Sequence, residues 1–300
     1  TGQVMKDGHA VGVVIPAHNE EQHIRTVLET LPPCVDFAVV IDDGSTDKTY
    51  EIAMKSSSHV PVEVLRTDGL GVGGAIDLGH QHLLKTMEPP FVSVVMAGDG
   101  QMSPDDLDIL IQPIVNDEAD HVKGNRMTSK EDIQQMPKPR RRASYILGWL
   151  TTLASGRVVQ DPQCGYTATS NKVLKQWDWQ RSWKGYGYPN FWLVQLSGKG
   201  WRVVDAPVKA VYGSEKSGIK PLQFFTKVGI MMTIEHHRRA FKHLLKSPLL
   251  MLSLLFYLMG YMSIAFAINQ PIMIFSLLIC WWIAHRLDRL AMLRLIGGRT

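Results

Sequence analysis

The sequence predicts a mixed α/β fold: a mostly parallel, Rossmann-like sheet with helices on both faces, then an amphipathic interface helix and a C-terminal transmembrane hairpin. Three observations predict it. Short β-branched runs alternate with helical stripes over the first 115 residues; a polar or glycine-rich loop follows each run; and no charged residue lies between Ser247 and Ala284. Alternating strands and helices make a parallel sheet covered on both faces. A charge-free stretch that long exceeds the roughly 20 apolar residues that one bilayer crossing needs.

Val11 to Ile15 is an apolar run ended by Pro16, the pattern of a buried strand. Glu20 to Leu31 places Ile24, Val27, Leu28 and Leu31 on one helical stripe, stopped by Pro32 and Pro33. Phe37 to Ile41 is a second strand and Asp47 to Lys55 a helix with an acidic start. Val62 to Leu65 is a third strand, followed by a helix over Gly73 to Met87. Phe91 to Met96 is a fourth strand, and Pro104 to Val115 a helix with proline in its first turn. Leu222 to Leu245 mixes apolar and basic residues as an interfacial helix does. Pro248 to Ile268 is long enough to cross a bilayer. Asn269-Gln270-Pro271 marks a turn, and Ile272 to Ala284 forms a shorter second limb. The expected units are an α/β domain over 1–218, juxtamembrane helices over 219–247, and a hairpin with a basic tail over 248–300.

Charge divides the chain in the same place. Residues 1–215 carry 21 Lys/Arg against 26 Asp/Glu, whereas 216–300 carry 11 against 2, so the formal net charge of +4 describes neither part. A basic, apolar tail on an acidic body points to an anionic membrane and not to nucleic acid. Lys242, Lys246, Arg286, Arg289 and Arg294 flank the charge-free run, which places the body on the cytoplasmic side. Thr1 to Ala10 contain no apolar core of the signal-peptide kind. Cys34, Cys164 and Cys280 are too few and too scattered for a disulfide framework. At 45% hydrophobic and 20% charged, the chain is neither disordered nor collagen-like.

Ligands of such sheets bind at the carboxyl ends of the strands, and the unusual residues gather in those loops. Pro16, Ala17, His18, Asn19 and Glu20 follow the first strand; Asp42 and Asp43 end the second. A carboxylate at a strand end can accept from a nucleobase N–H or a ribose hydroxyl, while Ser45 or Thr46 can cap the helix that follows. Gly71, Gly73 and Gly74 open a helix, where they permit either a close approach to phosphates or a tight turn. Gly98, Asp99 and Gln101 follow the fourth strand. A carboxylate and an amide oxygen suit a hard divalent cation, and the flanking glycines equally suit a turn. Arg126 and the group Lys138, Arg140, Arg141 and Arg142 are fitted to phosphate oxygens or to a membrane face. Asp161, in the loop Asp161-Pro162-Gln163-Cys164-Gly165-Tyr166, is either a general base or a structural cap. Cys164 reads as a small buried residue, and the histidines at 80/82 and 236/237 lack the spacing of a metal site.

Val13 to Glu21, Ile41 to Asp47, Asp99-Gly100-Gln101, Gly124-Asn125-Arg126 and Asp161 to Tyr166 together resemble a family 2 glycosyltransferase of the GT-A fold. The last loop is similar to that of dolichyl-phosphate mannose synthases and other polyprenyl-phosphate glycosyltransferases. Tyr212 to Gly218 resembles their substrate loop. The resemblance covers roughly residues 11–247. It implies that Pro16, Ala17, His18, Asn19, Glu20, Asp42 and Asp43 hold the nucleoside, with Gly71, Gly74, Gly98 and Asp99 also at the donor. It implies that Asp99 and Gln101 bind Mg²⁺ or Mn²⁺, and that Arg126 with Arg140 or Arg141 holds the donor and acceptor phosphates. This chain departs from the pattern at His18, where many relatives have Tyr, at Ala97, where the first metal-binding acid is expected, and at Val72, where a basic residue is common.

The expected activity is inverting transfer of a sugar from a nucleotide-sugar to a dolichyl or undecaprenyl phosphate at the cytoplasmic membrane face. Two other readings stand beside it: transfer to a sugar hydroxyl of a lipid-linked glycan or glycolipid, which needs a base, and a non-catalytic nucleotide-sugar binding module, prompted by Ala97. Nothing in the sequence bears on the sugar, the nucleotide or the oligomeric state.

Overall fold

The computed structural model describes residues 8–209, 211, 221–267, 270 and 272–297. The substrate-loop stretch Tyr212 to Gly218, and Asn269 and Pro271 of the expected turn, lie outside them. In chain order the elements are β1 (Ala10–Ala17), α1 (Ile24–Glu29), β2 (Phe37–Asp43), α2 (Thr49–Lys55), β3 (Val62–Thr67), α3 (Val72–Thr86) and β4 (Phe91–Val95). There follow α4 (Leu107–Val115), β5 (His121–Asn125), α5 (Lys130–Gln135), α6 (Lys138–Ser155), β6 (Thr167–Ser170), α7 (Asn171–Lys175), α8 (Tyr188–Lys199) and β7 (Val203–Pro207). The chain ends in α9 (Pro221–Lys242), α10 (Pro248–Ala267) and α11 (Met273–Gly297).

Seven strands form one sheet in the order β3-β2-β1-β4-β6-β5-β7. All pairings are parallel except those of β6 with β4 and β5. The four strands expected from the sequence are present. β5, β6 and β7 carry no apolar run that would announce them: β5 buries His121, Lys123 and Asn125, and β6 buries Thr167, Thr169 and Ser170.

Alternation along β1 sends Val11, Val13, Ile15 and Ala17 into a core with α1, α2 and α4, and Ala10 and Val14 into a second core with α3 and α6–α9. Gly12 lets α3 approach: a Cβ there would lie 2.5 Å from Met87 Sδ.

The C-terminal helices depart from expectation. One face of α9 is buried against α6 and α8 through Val228, Met231 and Met232, while Ile230, Ile234 and Phe241 are exposed. It is therefore a helix of the body as well as an amphipathic one. α10 and α11 pack together, with Ser253 Oγ donating to the Ala284 carbonyl at 2.8 Å. Among the described residues, α10 alone is long and apolar enough to cross a membrane. The second limb expected over Ile272 to Ala284 is part of a longer helix that carries Arg286, Asp288 and Arg289 and buries Asp288, Ala291 and Met292. Asp288 Oδ2 accepts from Arg239 of α9 at 2.6 Å, and Arg239 also donates to the Leu153 and Ala154 carbonyls at the end of α6.

Candidate active site

The carboxyl ends of β1 and β2 are laced together before any ligand is considered. Asn19, in the left-handed region at φ 59°, donates its backbone N–H to Ser45 Oγ at 2.9 Å, and its Oδ1 accepts from the Thr46 N–H at 2.9 Å. Glu20 N–H donates to Thr49 Oγ1 at 2.7 Å, and His18 Nδ1 meets the Asp43 carbonyl at 2.8 Å. Ser45, Thr46 and Thr49 thus hold the first loop in place.

The two acids of β2 differ. Asp43 accepts from Thr67 Oγ1 at 2.6 Å, Leu70 N at 2.6 Å and Gly71 N at 2.8 Å, so it ties the glycine loop to the sheet. Asp42 pairs in register with Ala17 and is fully buried, yet neither carboxylate oxygen accepts a hydrogen bond among the described residues. Its neighbour is Arg66, with Nε 3.3 Å away; that guanidinium also covers the Tyr50 ring at 5.1 Å and donates to the Ser45 carbonyl at 3.0 Å. A buried acceptor left without a donor is costly unless a ligand supplies one. Arg66 escaped the sequence reading, although it stands at the carboxyl end of β3, where a charged residue was a usable signal.

The glycines at the start of α3 pack against the chain's own backbone. Gly73 N and Gly74 N donate to the Lys184 carbonyl at 2.8 and 3.1 Å. A Cβ on Gly73 would lie 2.2 Å from the Trp183 carbonyl oxygen, and one on Gly71, at φ 78°, would lie 2.7 Å from that of Lys184. In this structure the close approach at these N–H groups is made by the chain's own 183–185 loop. Lys184 Nζ bonds Asp77 of α3 at 2.6 Å and closes the contact. Burial raises the Asp77 carboxyl, and its bonds to Lys184 and Ser182 offset only part of that rise.

On the other side of β1, Gly98 N donates to the Pro16 carbonyl at 3.0 Å, joining the Asp99 loop to the first loop. A Cβ on Gly98 would lie 3.1 Å from that of Ala17. Asp99 Oδ1 accepts from Gln101 N at 3.0 Å. The Asp161–Tyr166 loop packs alongside: Tyr166 OH donates to the Ser103 carbonyl at 2.9 Å, and Tyr188 OH to that of Gly165 at 3.2 Å. Asp99 and the Asp161 loop are therefore neighbours.

Asp161 is fully buried and locked to Arg126. It accepts from Arg126 N at 3.0 Å, Nε at 2.8 Å and Nη2 at 2.9 Å. Burial pushes its carboxyl up, but the hydrogen bonds and charge of Arg126, with Lys123 behind, outweigh this and hold it below its ordinary value. An acid so held is a poor proton acceptor, and the general-base alternative loses to the structural one. Lys123 is entirely buried on β5, donating to the Asp161 carbonyl at 2.9 Å and pairing with Asp205 at 3.3 Å. A lysine in an unannounced strand gave the sequence no signal. Arg140 is exposed on the first turn of α6, and Arg141 donates to the Ile133 carbonyl at 3.3 Å. Cys164 is buried at the back of the loop, and Cys34, Cys164 and Cys280 form no disulfide.

Asp99 and Gln101 can offer a divalent ion one carboxylate and one amide oxygen, and Ala97 adds nothing. No group of three or more His, Cys, Asp or Glu side chains able to hold an ion occurs among the described residues. Such a site fits a hard cation that takes its remaining ligands from a diphosphate and water.

A loop-lined strand edge, a buried acid whose oxygens accept no hydrogen bond among the described residues, and an arginine held by a buried carboxylate narrow the choice, and comparison decides it. The model of glycosyl transferase family 2 matches residues 12–177. The chain belongs to that family. The UDP-N-acetylglucosamine–dolichyl-phosphate N-acetylglucosaminyltransferase of Methanococcus voltae is 30% identical over 67% of this chain and 85% of its own. The dolichol-phosphate mannosyltransferase of Pyrococcus furiosus is 28% identical over 66% of this chain and 55% of its own. Among solved structures, glucosyl-3-phosphoglycerate synthase from Mycobacterium tuberculosis, crystallised with Mn²⁺, UDP and glucosyl-3-phosphoglycerate, has the same fold. Its TM-score is 0.55 at 21% identity, covering 78% of this chain and 82% of its own. The resemblance read from the loop motifs is thereby borne out, and the family 2 sheet is GT-A-like.

Proposed function

We infer that this family 2 glycosyltransferase moves a sugar from a nucleotide-sugar to a polyprenyl phosphate, with inversion at the anomeric carbon. The observation that carries this reading is the Arg126–Asp161 pair. The one acid beside Asp99 that the sequence offered as a base is ion-paired and depressed, so the site favours an acceptor that needs no deprotonation. A phosphate monoester has a second pKa of about 6 and is already dianionic near neutral pH. The names of the dolichyl-phosphate relatives support the same acceptor.

In this scheme Asp42 accepts from a nucleobase N–H, which fills its unmet hydrogen-bonding capacity, and the laced first loop shapes the nucleoside site. Asp99 and Gln101 would hold Mg²⁺ or Mn²⁺; the ion, when bound, supplies charge neutralisation at the diphosphate. Arg126, oriented by Asp161, sets positive charge against phosphate oxygens, and Arg140 or Arg141 adds to it. The lipid phosphate oxygen forms the bond to the anomeric carbon as the bond to the diphosphate breaks, and the electron pair departs with the nucleoside diphosphate. The work of the protein is positioning and charge. α10 crosses the bilayer, α11 returns beside it, and the basic flanks keep the 1–218 body and the 219–247 segment on the cytoplasmic face.

The test is product formation by purified protein on an acceptor panel. Polyprenyl phosphate should be glycosylated, and a glycolipid bearing only sugar hydroxyls should not. Transfer to the glycolipid alone would replace this reading with the hydroxyl acceptor. No product with any acceptor, despite nucleotide-sugar binding, would favour a binding module.

A further inference from the structure

We propose that Tyr186 is a specificity-determining residue of the donor site, whose ring takes the apolar face of the transferred sugar. The inference rests on the reading that a nucleotide-sugar lies along the carboxyl edge of the sheet, and deepens it. Tyr186 stands between Gly185 and Gly187 in the turn that leads from α7 into α8, and it is 55% exposed. The aromatic residues around it are not: Trp183 packs against the core on the α3 side of the sheet, and Tyr188 is buried in that core.

The backbone under the ring is fixed on several sides. The Lys184 carbonyl is held by Gly73 N and Gly74 N, and Lys184 Nζ by Asp77. Trp183 Nε1 donates to the Tyr186 carbonyl at 2.9 Å. Gly187 lies in the left-handed region at φ 94°, and a Cβ there would lie 2.6 Å from Val228 Cγ2. None of these contacts uses the Tyr186 side chain, and among the described residues its hydroxyl has no hydrogen-bond partner. Ordering a turn this tightly costs conformational entropy, and a ring left in solvent offsets none of it.

Position names the occupant. On one side the turn meets the glycine loop. A Cβ on Gly74 would lie 2.8 Å from Leu70 Cβ and 3.6 Å from Lys184 Cδ, and Leu70 is itself 46% exposed with its N–H held by Asp43. On the other side Tyr188, two residues on, donates to the Gly165 carbonyl; burial pushes its hydroxyl up, and Cys164 and Asp99 add to that shift. Tyr186 thus stands between the loop tied to Asp43 and the loop of Asp99. The nucleoside is assigned to the β1 and β2 loops and the diphosphate to Asp99, which leaves the sugar as the donor group beside the turn. A hexopyranose carries hydroxyls on its rim and C–H groups on its faces. An aromatic ring matches such a face, and the Tyr186 hydroxyl is available to the rim.

The experiment measures binding to the full chain by calorimetry, with UDP-N-acetylglucosamine, UDP-glucose and GDP-mannose beside UDP and GDP. Tyr186→Ala should weaken the best-bound nucleotide-sugar roughly tenfold, leave its nucleoside diphosphate within about twofold, and narrow the differences among the sugars. Tyr186→Phe, which keeps the ring, should stay within about threefold of wild type. An equal loss for sugar and diphosphate overturns the proposal, since the ring would then only prop the turn. So does no loss for either, and so does a wild type that prefers the bare diphosphate to every sugar derivative. In turnover, Tyr186→Ala should raise KM for the nucleotide-sugar and leave KM for a polyprenyl phosphate in vesicles unchanged; a rise in the acceptor KM alone would give the ring to the lipid and overturn the proposal as well. The two readings fail differently. Wild type that binds none of the five ligands would overturn the donor reading and this inference with it, whereas wild-type binding that Tyr186→Ala leaves unchanged would overturn this inference alone.

Discussion

Replacing Asp161 separates a structural acid from a catalytic base. Its carboxylate is fully buried and takes three bonds from Arg126, at 2.8, 2.9 and 3.0 Å. Asp161→Ala leaves a buried guanidinium without its partner, a loss of about 3–5 kcal/mol in comparable buried pairs. Asp161→Asn keeps the shape but exchanges one acceptor for an amide that faces the guanidinium donors, and should cost about 1.5–3 kcal/mol. If Arg126 must be aimed at a phosphate, the same loss appears in kcat/KM as roughly 10- to 100-fold for Asn, since about 1.4 kcal/mol is tenfold. The decisive assay is the pH profile. In the proposed mechanism the acid limb belongs to the acceptor phosphate, near pH 6, and persists in Asp161→Asn at reduced height. An acid limb that vanishes in Asp161→Asn would refute the reasoning and restore Asp161 as the base. Stability gives an independent check of sign. The folded carboxyl is held below its ordinary 3.8, so its contribution is present above that value and lost as pH falls through the lower folded one. The difference in Tm between wild type and Asp161→Asn should therefore be constant near neutrality and shrink only in strong acid.

Asp99→Asn should reduce turnover far more than Gln101→Ala, because the carboxylate is the only charge this loop gives a cation; equal losses in an Mg²⁺ or Mn²⁺ titration would argue against Asp99 as the ligand. Gly73→Ala should lower Tm markedly and disturb nucleotide binding, since the new Cβ meets the Trp183 carbonyl at 2.2 Å and the 183–185 loop must move; an unchanged Tm would show that the loop yields freely. Stability should decline as pH drops below 6.5, because burial holds His80 and His121 neutral in the folded chain down to about pH 3. Each adds up to about 1.4 kcal/mol per pH unit over that window, so His80→Gln should flatten the acid side of a Tm profile. Asp288→Ala should cost about 3–5 kcal/mol by stranding buried Arg239, and Asp288→Leu with Arg239→Met should recover much of it; full stability of the single variant would show that the pair is not buried in the membrane-bound protein.

The carboxyl edge of β1, β2 and β4 was legible because its loops combine proline, glycine and acid in places where packing alone would not put them. The same signal could not separate the roles of Asp42 and Asp43. Adjacent residues of one strand point to opposite faces, so one meets the glycine loop and the other a buried space beside Arg66, and only the neighbours tell them apart. The glycine loop was ambiguous for a related reason. Glycines at a helix start announce a close approach, and the sequence does not say whether a phosphate or the backbone at Lys184 makes it. β5 and β6 were silent because their buried faces are polar. His121, Lys123 and Thr169 are paid for by partners far along the chain, such as the His121–Thr169 bond at 2.9 Å, and hydrophobic periodicity carries no record of such pairs.

The C-terminal boundary shows the same limit in a sharper form. A charge-free run reads directly as lipid-facing, because no partner in the chain is needed to explain it. Arg239 and Asp288 are 49 positions apart, and nothing local in the sequence couples them. Folded, they are the buried joint between α11, α9 and the end of α6. On the proposed reading, α10 and α11 are then more than an anchor attached to a finished enzyme. Truncation before Ser247 removes Asp288 and uncovers the joint, so the body should still fold around its sheet but with a lower Tm. On the proposed reading, donor binding depends on loops before residue 102 and should survive, whereas use of a long-chain acceptor should fall, since the body loses the segment proposed to hold it at the membrane. Calorimetry of donor binding beside turnover on long and short acceptors distinguishes the cases: loss of donor binding would mean that the joint supports the whole sheet, and unchanged turnover on the long acceptor would mean that acceptor use does not need α10 and α11.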